Sequence, residues 1–147
     1  MYLLFQVKVW DFENCRNGPH GNSFNMSQTV HLDQSLFCSA WSSNGRMVAF
    51  SGTSRKIGVF HKLLGGRIQL PAIQELSGHS HSIVCLKFMP DNAILVSASL
   101  DGRIILWDPL EGSICQMISL NFPIPKSVVF PSHSQVNNFR EIIKKNL

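Results

Sequence analysis

The sequence predicts an all-β chain made of small antiparallel sheets that cover one another's faces. Three observations predict it. The 147 residues include ten Phe and three Trp, with 44 % hydrophobic against only 15 % charged residues. That composition favours strands, can build a core and carries too little charge for a disordered chain. Shifted against itself by 47 positions, the chain repeats one order of apolar run, turn, apolar run, turn, apolar run. A fixed period of this length marks stacked supersecondary units. The runs are nearly continuous in apolar residues and do not alternate, so both faces of each sheet need cover. Sheets packed face to face in a radial array provide it.

Residues 1–14 contain Val7-Lys8-Val9-Trp10-Asp11, which reads as the third strand of a unit whose first strands are missing. Residues 15–28, rich in Asn, Gly and Ser, read as a polar loop. The first full copy occupies residues 29–75 and the second residues 76–121. Phe37-Cys38-Ser39-Ala40-Trp41 falls on Val84-Cys85-Leu86-Lys87-Phe88, and Met47-Val48-Ala49 on Ile94-Leu95-Val96. Ile57-Gly58-Val59-Phe60 falls on Ile104-Ile105-Leu106-Trp107. Asn44-Gly45 lies where Asp91-Asn92 lies one copy later, and Asp101-Gly102 separates two β-rich runs. Asn-Gly and Asp-Gly supply the positive φ that tight hairpins need, so each copy is an antiparallel meander. In residues 122–147, Ser127-Val128-Val129-Phe130-Pro131 reads as the first strand of a further unit. Phe139-Arg140-Glu141-Ile142-Ile143-Lys144-Lys145 has helical spacing and predicts a short C-terminal helix or tail.

The second copy opens Leu76-Ser77-Gly78-His79 and closes Arg103-Ile104-Ile105-Leu106-Trp107-Asp108. With the Asp101-Gly102 turn and the strands in order between them, this strongly resembles the WD-repeat family. The resemblance implies antiparallel four-stranded blades of a WD-repeat β-propeller, here incomplete. It also implies a hydrogen-bonded line across the blade made by His79, Ser97, Asp101 and Trp107, in which Asp101 accepts from the His79 ring, His79 accepts from Ser97, and Ser97 accepts the Trp107 indole N–H. Buried polar groups are tolerated only when satisfied in this way. The first copy departs from the pattern, with Leu32, Phe50, Ser54 and Phe60 at the four positions, and is expected to hold by packing alone. Two complete repeats and two remnants cannot close a ring of about four to eight blades. The expectation is therefore a piece of a longer product, or copies that associate to complete the ring.

Other chemistry finds little footing. The net charge of +4 is mild, and Cys15, Cys38, Cys85 and Cys115 form no Cys-x-x-Cys pair, which argues for reduced thiols in an intracellular protein. The first ten residues are apolar but carry Lys8 and no small-residue cleavage site, and no run reaches membrane length. His79-x-His81 reads as structural given its Gly-His context, and Cys38 and Cys85 as repeated small core positions. Gly65-Gly66 opens no helix, and Arg140, Lys144 and Lys145 read as a solvated helix face. No catalytic residue, metal, cofactor or small-molecule substrate is expected.

Function in such rings sits on loop rims, where rigid sheets present variable residues. The open loops are 13–28 and 62–67, and Arg55, Lys56 and Arg103 occupy equivalent rim turns suited to an acidic partner. The expected function is a protein-interaction scaffold or adaptor without catalysis, acting on other proteins in the nucleus or cytoplasm, with the nucleus favoured. The order of blade types also resembles the propeller of bromodomain-and-WD-repeat proteins. That second resemblance rests on 37–61 and the loop after it, and implies chromatin or ubiquitin-ligase partners. Some ligase-recruiting propellers carry an Arg two residues after Trp-Asp; here Trp10-Asp11 is followed by Phe12-Glu13 and Trp107-Asp108 by Pro109-Leu110, so that mark is absent.

Overall fold

The computed structural model describes residues 5–11, 25–32, 35–63, 67–69 and 72–120. The loop residues 13–24, the glycine pair at 65–66, the strand expected at 127–131 and the helix expected at 139–145 lie outside them. The described residues form strands and turns with no helix. Ten strands follow in order: β1 (Phe5–Asp11), β2 (Asn25–Leu32), β3 (Leu36–Trp41), β4 (Met47–Gly52), β5 (Lys56–His61), β6 (Gln74–Ser77), β7 (Ile83–Phe88), β8 (Leu95–Ser99), β9 (Arg103–Trp107) and β10 (Ile114–Ser119).

The strands build three antiparallel sheets. β1 and β2 make a two-stranded sheet, β3-β4-β5-β6 a four-stranded one, and β7-β8-β9-β10 a second four-stranded one. β2 begins at Asn25, inside the stretch expected as loop. Its polar composition is overridden by pairing with β1, where Val7 opposes Val30, because strand propensity yields to cross-strand contacts. β6, which opens the second sequence repeat, pairs with β5 of the preceding sheet. The repeat read along the chain therefore straddles two sheets and ties them together.

The 47-residue register recurs in backbone detail. Both four-stranded sheets carry a bulge at the start of the first strand, between Leu36 and Cys38 and between Ile83 and Cys85. Gly45 (φ 66°) and Asn92 (φ 60°) hold the same place in their turns. Gly102 (φ 77°) is matched by Arg55 (φ 65°). A left-handed backbone costs an ordinary L-residue about 1–2 kcal/mol, so the β4–β5 turn carries strain that its counterpart avoids. At the other end of the sheets, the Ser43 backbone N–H donates to Asn92 Oδ1 (2.6 Å), and Ser43 Oγ lies 2.7 Å from the Pro90 carbonyl oxygen. The two equivalent turns are clasped together.

β4 and β8 are buried along their whole length, as the continuous apolar runs require. Met47, Ala49, Ile57 and Val59 face Ile83, Phe88, Leu95 and Trp107 across the interface of the two four-stranded sheets. On its opposite face the first of these sheets packs Val48, Phe50 and Phe60 against Val9 and Ile68. There Phe50 and Phe60, at the places of Ser97 and Trp107, meet with ring centroids 5.6 Å apart. An aromatic contact thus replaces the polar line in this sheet. Cys38, packed against the central core, has its thiol pushed up to about 12, first by burial and then by Cys85. The protonated thiol is a poor nucleophile.

Candidate functional site

The strongest constellation of polar side chains is buried inside the second four-stranded sheet. β6 ends at Ser77, and the chain passes over Trp107 at Gly78 before His79 turns inward. A Cβ at Gly78 would lie 2.9 Å from the end of the Trp107 ring and 3.1 Å from Ile114. The Gly of Gly-His is thus demanded by the Trp of Trp-Asp. Asp101 sits in the β8–β9 turn, Ser97 lies in the middle of β8, and Trp107 closes β9.

These four residues touch in sequence. His79 Nδ1 lies 2.8 Å from Asp101 Oδ2, His79 Nε2 lies 2.7 Å from Ser97 Oγ, and Trp107 Nε1 lies 2.8 Å from Ser97 Oγ. Donor and acceptor capacity then sets the directions. An indole N–H can only donate, so Ser97 Oγ accepts from Trp107 and its own proton points to His79 Nε2. The Nδ1–H donates to the Asp101 carboxylate. The His79 and Asp101 side chains are 0 % and 4 % exposed, and Ser97 and Trp107 are equally buried.

Burial holds the His79 ring below its ordinary titration range, against the opposing pull of the Asp101 hydrogen bond and charge. The imidazole is neutral near pH 7, and its contact with Asp101 is a hydrogen bond rather than an ion pair. Burial alone would raise Asp101, but the backbone N–H of Ser80, the His79 side chain and the backbone N–H of Arg103 together hold it below the usual carboxylate range. The two backbone donors lie 2.9 Å away. Neither Ser80 nor the Arg103 N–H was part of the sequence expectation. Their signal was the short turn around Asp101, where an Asp accepts from the N–H two residues on.

The order Asp–His–Ser is that of a hydrolytic relay, but the surroundings disable it. A nucleophilic Ser needs its oxygen open to a carbonyl. Ser97 is 0 % exposed and its oxygen already holds the Trp107 proton. Both His79 nitrogens are committed, and His81 Nδ1 accepts from the Ser82 N–H at 2.8 Å. The arrangement can orient and lock the sheet; it offers no lone pair to a metal and no surface to a substrate. Among the described residues, no three His, Cys, Asp or Glu side chains gather as a metal site, and no helix is long and apolar enough to cross a membrane.

The rim residues lie elsewhere. Arg55 and Lys56 are exposed at the β4–β5 turn, and Arg103 is half-buried just past the equivalent β8–β9 turn. The structure brings all three to the same end of two adjacent sheets. Lys56 Nζ is 2.8 Å from Glu75 Oε2, with both side chains well exposed, so much of its charge is already answered. Leu100, at the tip of the β8–β9 turn, is 48 % exposed between these cations. Its place in an Ala-Ser-Leu-Asp run gave no sign that it would face solvent.

Four-stranded antiparallel sheets stacked through their faces, one braced by a buried His–Ser–Asp–Trp line, are the blades of a WD-type propeller. Comparison with known proteins agrees. Residues 71–108 match the family model of the WD domain, G-beta repeat, a span that covers β6 to β9. Protein hir-1 of Neurospora crassa is 27 % identical over 118 residues, covering 69 % of this chain and 11 % of that protein. WD repeat-containing protein AAC3 of Dictyostelium discoideum is 29 % identical over 92 residues, covering 61 % of this chain and 19 % of its own. The guanine nucleotide-binding protein subunit beta of Zea mays is 33 % identical over 66 residues, or 45 % of this chain and 17 % of that subunit. The chain thus spans between 11 and 19 % of the length of these relatives.

Proposed function

We propose that this chain is a protein-interaction scaffold built on WD-type blades, without catalytic activity of its own and acting inside the cell. The observation that carries the reading is the buried line from Asp101 to Trp107. The chain's most elaborate polar constellation is closed to solvent, and so serves to hold a rigid sheet whose turns face outward. Rigid sheets presenting variable turns are the usual platform for partner binding. Support also comes from similarity to a protein whose name describes one subunit of a larger assembly. The partner-facing surface is assigned to Arg55, Lys56 and Arg103 with Leu100 among them, a basic rim around an apolar tip that suits an acidic peptide with an apolar anchor. Partners bound to chromatin or to a ubiquitin ligase, implied by the likeness to bromodomain-and-WD-repeat propellers, find no support among these relatives and form no part of the proposal.

The test is affinity capture with the wild-type chain and a double charge reversal, Arg55→Glu with Arg103→Glu. Wild type is expected to retain a stoichiometric protein partner, and the reversed rim to lose about tenfold or more of it. Equal retention by both would contradict the rim assignment. Turnover by the chain alone would contradict the scaffold.

A further inference from the structure

The inner half of one sheet face is left apolar and open, and the chain itself shows what covers such a face. In the second four-stranded sheet, Leu86, Phe88 and Leu95 are 6 %, 5 % and 0 % exposed. They lie beneath β3 and β4 of the neighbouring sheet, which pack on β7. The covering strands bring small side chains, Cys38, Ala40 and Ala49, into that contact. The Cys38 thiol reaches the Ile83 carbonyl oxygen at 3.6 Å.

The same face of the first four-stranded sheet carries Ser39, Trp41 and Val48 at the equivalent positions. Its outer part is covered, since Val48, Phe50 and Phe60 pack on Val9 of β1. Its inner part is not. Trp41 is 45 % exposed where its counterpart Phe88 is 5 %, and Phe37 is 55 % exposed. A groove runs between Val7, Leu36, Phe37, Ser39 and Phe50, at the place where β3 itself sits on the second sheet. The sheet of β1 and β2 has two strands where its neighbours have four, and its Val7-to-Asp11 run aligns with the third strand of the second repeat. The open space is therefore two inner strands wide.

We propose that this groove docks a two-stranded antiparallel ribbon supplied by a partner polypeptide, seated on β3 beside β1. The established packing of β3 and β4 on β7 defines the ribbon's chemistry. It has small side chains at the positions that face β3, an aliphatic pair on its second strand, and a hydroxyl or thiol placed to donate to the Leu36 carbonyl. A complete four-stranded sheet from a second copy does not fit, because β1 and β2 already occupy the outer half. This inference stands on the packing between sheets and is independent of which rim the scaffold uses.

The probe is a synthetic peptide of residues 36–52, the ribbon that covers the equivalent face, titrated into the full 147-residue chain with Trp fluorescence as the readout. The expected result is a saturable blue shift that a scrambled peptide does not produce and that Trp41→Phe abolishes, with affinity about tenfold weaker in Phe37→Glu. Both side chains are exposed, so the variants should melt with wild type, which a thermal scan verifies. An equal response to the scrambled peptide, or a shift that survives in Trp41→Phe, overturns the proposal. Sedimentation showing a concentration-dependent dimer that buries Trp41 without peptide overturns it in favour of a second copy.

Discussion

Replacing Trp107 by Ala is expected to lower stability by about 3–5 kcal/mol, as for large aromatic deletions in well-packed cores. Trp107 is 1 % exposed and joins the core between the two four-stranded sheets. Its loss opens a cavity at their interface and removes the N–H that Ser97 Oγ accepts. At this chain length the corresponding fall in Tm is roughly 8–15 °C. Trp107→Phe separates the two contributions. It keeps most of the ring and should cost only about 1–2 kcal/mol, chiefly for the missing hydrogen bond. The first four-stranded sheet shows that Phe is accommodated when its neighbour is also apolar, as Phe60 is beside Phe50. Equal losses in the two variants would show that the cavity contributes nothing.

Asp101→Ala is expected to cost about 2–3 kcal/mol, because hydrogen bonds to a charged acceptor are among the stronger ones and their donors stay behind. Three donors lose their partner: the His79 ring, the Ser80 N–H and the Arg103 N–H. The last two lie near the surface and can turn to water. The His79 ring cannot, its side chain being 0 % exposed. The loss should therefore be largely recovered when His79 is also replaced, as a double-mutant cycle of His79→Leu and Asp101→Ala would reveal through urea midpoints. Additive losses would deny the coupling.

Much of this fold was legible in the residues, and the reasons are local. Turn chemistry is written in single pairs, and Asn44-Gly45 and Asp101-Gly102 form the turns their side chains and φ angles suit. The apolar runs at 47–49 and 94–96 announced strands buried on both faces. The four polar residues were placed by resemblance, and the structure adds why they come as a set. Gly78 must be Gly because Trp107 lies under it.

What was not legible depends on partners distant in sequence. Trp41 and Phe88 are both aromatics at the same place in the repeat, yet one is exposed and the other buried, because only β7 has a neighbour's inner strands on it. The pairing of β6 with β5 across the repeat boundary follows from sheet packing, and no residue of Gln74-Glu75-Leu76-Ser77 signals it. Lys56 reads as a free rim cation until Glu75, on the neighbouring strand, is seen beside it. The bulges at Leu36 and Ile83 have no Gly or Pro to mark them.

The central claim is that His79 is a neutral, structural link between Asp101 and Ser97. Nitrogen chemical shifts of the His79 ring, followed from pH 8 to pH 5 in the intact chain, test it most directly. A ring whose folded pKa is lowered lends stability that is full above the unfolded value near 6.5 and is lost as pH falls through the folded value. Asp101, also lowered, acts in the same sense at more acid pH. The account predicts a single Nδ1–H tautomer that persists below pH 6.5, with stability declining on acidification in wild type and not through this step in His79→Gln. A His79 ring that titrates at its ordinary value, with averaged nitrogen shifts and no change in stability, would contradict it.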